Sequence, residues 1–136
     1  MDTLTPKERS KRMSLVRSKH TQPELLVRRI VHGMGYRYRL HDSKLPGSPD
    51  IVLKRLQKAI FIHGCFWHGH PCHSGRARVP KSRVDFWLGK ISSNKNRDAA
   101  VRRAIRKMGW SVLVLWECGL KDQEKLEKTI RRFLDA

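Results

Sequence analysis

Apolar and polar positions along the chain separate it into helix-like and strand-like stretches. Thr5-Pro6-Lys7-Glu8 and Thr21-Gln22-Pro23-Glu24 each set a Thr three residues before a Glu, with Pro in the first turn. That arrangement marks a helix start, because the Thr oxygen accepts a backbone N–H that the first turn leaves without a partner. The second start predicts a helix to about His32, stopped by Gly33 or Gly35, with Leu25, Leu26, Ile30 and the stem of Arg29 as its apolar face. The first is short and basic, with Lys7, Arg9, Lys11, Arg12, Arg17 and Lys19 in or just after it, and suits a segment that a polyanion orders.

Tyr36-Arg37-Tyr38-Arg39-Leu40 alternates as a half-buried strand does, and the turn-rich Pro46-Gly47-Ser48-Pro49 leads into a strand at Ile51-Val52-Leu53. Ala59-Ile60-Phe61-Ile62 reads as a third strand. Ser93 or Asn94 can cap a helix through Met108, with Val101, Ala104, Ile105 and Met108 on one face and Gly109 closing it. Residues Trp110 to Trp116 then read as a strand buried on both faces, its two Trp in the core, and Leu120 to Leu134 as a final helix. The order predicts an α/β domain with a mixed sheet flanked by helices. With no internal repeat and no linker, residues 1–136 are expected to form one domain, residues 1–20 a basic arm and 121–136 the closing helix.

Charge narrows the partners. Thirty Lys and Arg against twelve Asp and Glu leave a formal net charge of +18, most of it before Lys121. A surface this basic repels itself unless it meets a polyanion that releases counterions on contact, so nucleic acid is the leading partner. No apolar run approaches the ~20 residues that span a bilayer, and the first residues carry no apolar stretch of signal-peptide kind. No membrane partner is expected.

The segment from His63 to His73 holds four of the seven His and two of the three Cys, with Cys118 the third. Three thiolates and one imidazole make a closed tetrahedral zinc set, which leaves no open position for an activated water. Cys65, His70, Cys72 and Cys118 are therefore read as a structural zinc site that pins an irregular loop to the end of a strand. The spacing is unlike the common Cys-x2-Cys knuckle, so composition carries this reading; the alternative is three buried, inert cysteines.

Pro49-Asp50 at the mouth of a strand, followed by a second apolar strand, opens the Pro-Asp…(Asp/Glu)-x-Lys pattern of restriction-type nucleases. There a carboxylate at a strand end holds Mg²⁺ against the scissile phosphate. The second half is absent, since Phe61-Ile62-His63-Gly64 supplies neither carboxylate nor lysine. This departure and its neighbours carry a resemblance. Leu45-Pro46-Gly47-Ser48-Pro49-Asp50, Phe61-Ile62-His63-Gly64-Cys65-Phe66-Trp67-His68, Phe86-Trp87-Leu88-Gly89-Lys90-Ile91 and Leu113-Val114-Leu115-Trp116-Glu117-Cys118, in this order, closely resemble the very short patch repair endonucleases. The likeness covers about residues 8–120.

The resemblance implies a restriction-endonuclease-like fold with a structural Zn²⁺. It also implies a Mg²⁺-dependent nick in one strand of duplex DNA, 5′ of the thymine in a T:G mismatch left by deaminated 5-methylcytosine. By position, Asp50 is similar to the Mg²⁺-binding carboxylate, and the main-chain carbonyl of Ile62 stands where the second protein ligand would be, Ile replacing a frequent Thr. His68 is similar to the general base that activates water, and Asp98 to the carboxylate that orients its ring, roles suited to an imidazole that titrates near neutral pH. Glu24 and His63 resemble residues that hold a coordinated water and the phosphate. Phe66, Trp67 and Trp87 resemble an aromatic wedge pushed between base pairs beside the mismatch, where weak stacking lowers the cost of insertion.

Each assignment has a plainer competitor. Glu24 fits a capping box, Asp98 would be favoured by the dipole in the first turn of a helix, His68 could be another zinc ligand, and His63 could serve its loop. At the level of function, the alternatives are a zinc-stabilised, non-catalytic DNA-binding module and a sequence-specific restriction nuclease cutting both strands. A monomer in a bacterial cytoplasm is expected, with other mismatch-repair proteins as further candidate partners.

Overall fold

The fold is that of a computed structural model, and the structure describes residues 21–65 and 83–136. The helix expected at Thr5, and with it the basic arm, falls outside the described residues. So does most of the Cys/His segment, including Phe66, Trp67, His68, His70 and Cys72. The described elements are α1 (Gln22–Gly33), β1 (Arg39–Leu40), β2 (Ile51–Leu53), β3 (Lys58–His63), α2 (Val84–Lys107), β4 (Ser111–Trp116), a 3₁₀ turn (Glu117–Lys121) and α3 (Gln123–Asp135). Strand order is β1-β2-β3-β4; β1, β2 and β3 run antiparallel in turn, whereas β4 is parallel to β3. The fold is α/β with a mixed sheet, as the order of elements predicts.

α1 starts where its capping residues place it. Thr21 accepts from the Glu24 N–H at 3.3 Å, Pro23 sits in the first turn, and Gly35, at φ +90°, lets the chain turn away after Met34. Its buried stripe is Glu24, Val27 and Val31, with Leu26 and Ile30 half-buried. Leu25 is 38% exposed, contrary to expectation, because it stands about 200° around the helix from Val27.

One face of the sheet, with Ile51, Leu53, Ile60 and Leu115, packs with Val27 and Val31 of α1 and Leu126, Ile130 and Leu134 of α3. Buried Lys58, at the start of β3, donates to the carbonyls of Phe133, Leu134 and Ala136. A cation is thereby held at the carbonyl end of α3, where the helix dipole favours it.

Several boundaries depart from the sequence reading. β1 has two residues rather than five: Tyr38 instead donates to the Arg28 carbonyl at 3.4 Å and Tyr36 to Asp135 at 2.6 Å, tying this stretch to the helices. α2 begins at Val84, not at Ser93 or Asn94, since Ile91 is buried and anchors an earlier half of the helix that the 101–108 stripe does not reveal. Met108 at its end is half exposed; Ile105 supplies the burial expected of that face. β4 is not buried on both faces: only Leu115 is buried, and Trp110 and Trp116 are half-buried, because β4 ends the described sheet and lacks a neighbour on one side. The closing helix starts at Gln123, capped by Asp122, because the 3₁₀ turn takes up Leu120.

Candidate active site

Asp50 is the residue immediately before β2, and the β1–β2 register continues onto it. Leu40 pairs with Ile51, and the His41 N–H donates to the Asp50 carbonyl at 3.3 Å, so His41 stands directly across from Asp50. β3 lies on the other side of β2, and the Ile62 N–H donates to Asp50 Oδ2 at 2.7 Å. The turn that delivers Asp50 is closed tightly: Lys44 N–H donates to Asp42 Oδ1 at 3.0 Å, Ser48 N–H to the Leu45 carbonyl at 3.2 Å, and Leu45 and Pro49 are buried. Gly47, at φ +72°, lies so close to α2 that a Cβ there would fall 2.6 Å from Val101 Cγ1.

From the helix side, α1 brings in Glu24. Its carboxylate is turned inward: Oε2 accepts from Arg28 at 2.9 Å and lies 3.0 Å from His41 Nε2, with the side chain 3% exposed. His41 Nε2 is in turn 3.8 Å from Asp50 Oδ1. Glu24, His41 and Asp50 thus present three potential ligand atoms within 4.8 Å of one another.

The electrostatics of this group are tense. The Asp50 carboxyl is raised from its ordinary 3.8 to about 7: burial raises it most, the Ile62 N–H pulls the other way, the charge of Glu24 and a hydrogen bond shared with it add to the rise, and Arg28 lowers it. With the charge of Glu24 beside it, the desolvated Asp50 carboxyl resists ionisation. A divalent cation is the partner that would let both carry charge, and hard carboxylate oxygens suit Mg²⁺ or a similar ion. The donor set therefore fits a divalent metal.

A cleft of about 390 Å³ opens over Asp50 and is lined by His41, Ser48, Ile62, His63, Arg97 and Asp98, among others. The structure so gathers Asp50, Ile62, His63 and Asp98 around one cavity, with Glu24 against its His41–Asp50 wall. His63 is buried, one ring edge-on to Trp116 with centroids 5.1 Å apart. Asp98 lies fourteen residues into α2, about four turns from its start, so the helix-dipole explanation for a carboxylate in a first turn does not apply to it. Arg97 beside it puts a positive charge where a phosphate could lie.

Of the wedge residues, Trp87 is described: it sits near the start of α2, half-buried, with the exposed Phe86 ring edge-on to it at 5.0 Å. Of the zinc residues, Cys65 is buried and Cys118 half-buried. They follow by two residues the paired His63 and Trp116 that end the parallel β3–β4 ladder, so the two thiols leave neighbouring strands at the same end. His68, Phe66, Trp67, His70 and Cys72 are outside the described residues. Sequence reasoning missed His41 and Arg28. The one available signal for His41 was its place just past an alternating strand; its partner Asp50 emerges only with the register.

Among the described residues, no helix is long and apolar enough to cross a membrane. Residues 1–74 match the family model described as DNA mismatch endonuclease Vsr. The chain is 48% identical, over 98% of its length and 97% of the relative's, to the Type II nicking enzyme V.XorIIP of Xanthomonas oryzae pv. oryzae. It is 44% identical to the Type II nicking enzyme V.NmeAIP of Neisseria meningitidis, over 99% of this chain and 98% of that protein. The DNA mismatch endonuclease Vsr of Escherichia coli is 41% identical over 87% of this chain and 74% of its own. A non-catalytic binding module is thereby set aside: the chain is a DNA endonuclease and belongs to the Vsr family of DNA mismatch endonucleases.

Proposed function

We propose that this endonuclease nicks one strand of duplex DNA 5′ of the thymine in a T:G mismatch, with Mg²⁺ as its catalytic ion, and so begins very short patch repair of deaminated 5-methylcytosine. The observation that carries the reading is the Asp50 cleft, where a half-buried carboxylate held by the Ile62 N–H faces His63, Arg97 and Asp98. The names of the relatives, a mismatch endonuclease and several nicking enzymes, favour single-strand cleavage over cutting of both strands.

Asp50 and the Ile62 carbonyl would hold the cation, which supplies positive charge to the phosphate and to the leaving oxygen. His68 accepts a proton from the attacking water, and Asp98 orients its ring. The water oxygen forms a bond to phosphorus as the P–O3′ bond breaks in line, leaving a 3′ hydroxyl and a 5′ phosphate. His63 and Arg97 bind the phosphate, and Glu24 stands behind the cation site through His41. Phe66, Trp67 and Trp87 wedge the weakly stacked mismatch open, an insertion that costs a few kcal/mol per step. Cys65, His70, Cys72 and Cys118 bind a structural Zn²⁺; the departure of Cys65 and Cys118 from adjacent strand ends supports this set. The whole adopts a restriction-endonuclease-like fold in a single nuclease domain, acting as a monomer in a bacterial cytoplasm.

End-labelled duplexes, matched or carrying one T:G pair, test the reading when incubated with Mg²⁺. A single nick on the thymine strand, absent with EDTA and absent from the matched duplex, is the expected result. Cleavage of both strands in matched DNA would instead make this a restriction nuclease.

A further inference from the structure

We propose that His41 is a third protein donor of the cation site and that it tilts the preference of the site from Mg²⁺ toward transition metals such as Co²⁺. The inference rests on the reading of Asp50 as a cation ligand. His41 is anchored opposite Asp50 by its own N–H at 3.3 Å, and its left-handed backbone, at φ +46°, turns the chain at the end of β1. Its side chain is 10% exposed, with Nε2 3.0 Å from Glu24 Oε2 and 3.8 Å from Asp50 Oδ1. Adjacent ligands of an octahedral ion with bonds of about 2.1 Å stand about 3.0 Å apart. Nε2 thus stands within about 1 Å of an octahedral edge from Asp50 Oδ1, so a small side-chain shift puts both on one ion, with Glu24 facing the ring.

Two oxygen donors alone make a site for a hard ion. Adding an imidazole changes its chemistry, because nitrogen ligation gains more with Co²⁺ or Ni²⁺ than with Mg²⁺, which favours oxygen and retains water. A merely positioning His41, hydrogen-bonded to Glu24, would shift the affinity of all divalent ions alike. The two roles thus differ in the ratio of affinities between metals.

The test titrates the full chain with CoCl₂ or MgCl₂ without DNA, comparing the wild type with His41→Gln, His41→Ala and Asp50→Asn. Co²⁺ binding is read from its visible absorption and Mg²⁺ binding by competition. Only binding lost in Asp50→Asn is assigned to this site, which removes any contribution of the Cys/His segment. Loss of about 10- to 100-fold in Co²⁺ affinity on replacing His41, with Mg²⁺ affinity within about threefold, is expected. Equal loss for both ions, or no loss for either, overturns the proposal. Ring signals of His41 left untouched by saturating Co²⁺ in NMR spectra of the wild type would also overturn it. If Asp50→Asn leaves cation binding unchanged, the assignment of Asp50 itself has failed, and His41 with it.

Discussion

At the residue scale, the most informative feature is a carboxylate that cannot comfortably be ionised. Asp50 is raised to about 7, chiefly by burial, while still accepting from the Ile62 N–H. A folded-state value above the unfolded one means that the metal-free protein favours the protonated acid: this contribution to stability is complete below about pH 4 and lost as pH rises through about 7. A cation that takes the place of the proton reverses the trend. Mg²⁺ should therefore raise the midpoint of thermal unfolding by roughly 3–10 °C at pH 8 and hardly at all at pH 5, as differential scanning fluorimetry would show. Equal shifts at both pH values would contradict this picture of Asp50. Replacing Asp50 by Asn should lower the nicking rate by about 10³-fold or more while DNA affinity stays within a few-fold. Asp98→Asn, which spares metal ligation, should reduce kcat and leave cation binding unchanged.

At the scale of elements, the site depends on a turn pressed against a helix. Gly47 combines a left-handed backbone with a Cβ position that Val101 already occupies. Gly47→Ala should destabilise the fold by about 1–3 kcal/mol in urea unfolding and, by moving Asp50, weaken cation binding as well. A variant as stable as the wild type would mean that the turn can shift away from α2 without cost. The same turn illustrates what the chain made legible. Pro49-Asp50 before an apolar triplet was readable because strand entry and turn chemistry are local, and the Thr21 cap was readable for the same reason. The pairing of His41 with Asp50 was not, and Glu24 was drawn to the site by the family resemblance rather than by any local pattern. Both placements come from how α1 lies on the sheet and from strand register, which no short stretch of sequence encodes. The start of α2 was misread because its first half buries little beyond Ile91, and a helix carrying exposed Phe86 and Leu88 shows no clear stripe.

For the whole molecule, charge and cleft point to the same partner. A formal charge of +18 on 136 residues predicts that DNA affinity falls steeply with salt, by about 10³-fold between 50 and 200 mM if six or more phosphates are contacted. A fluorescence-anisotropy titration with a slope near zero would remove the electrostatic basis for DNA binding. On the proposed zinc set, Cys118→Ser should lower both zinc content and thermal stability, since the metal would lose its ligand at the end of β4. The central claim, that a divalent ion held by Asp50 meets the scissile phosphate, is tested most directly by anomalous diffraction from crystals grown with Mn²⁺ and a T:G duplex bearing a non-cleavable phosphate. The account predicts a manganese peak bonded at about 2.2 Å to the Asp50 carboxylate and to a phosphate oxygen beside the mismatched thymine. A bound duplex whose scissile phosphate faces Asp50 with no peak between them, or a peak held elsewhere, would contradict it.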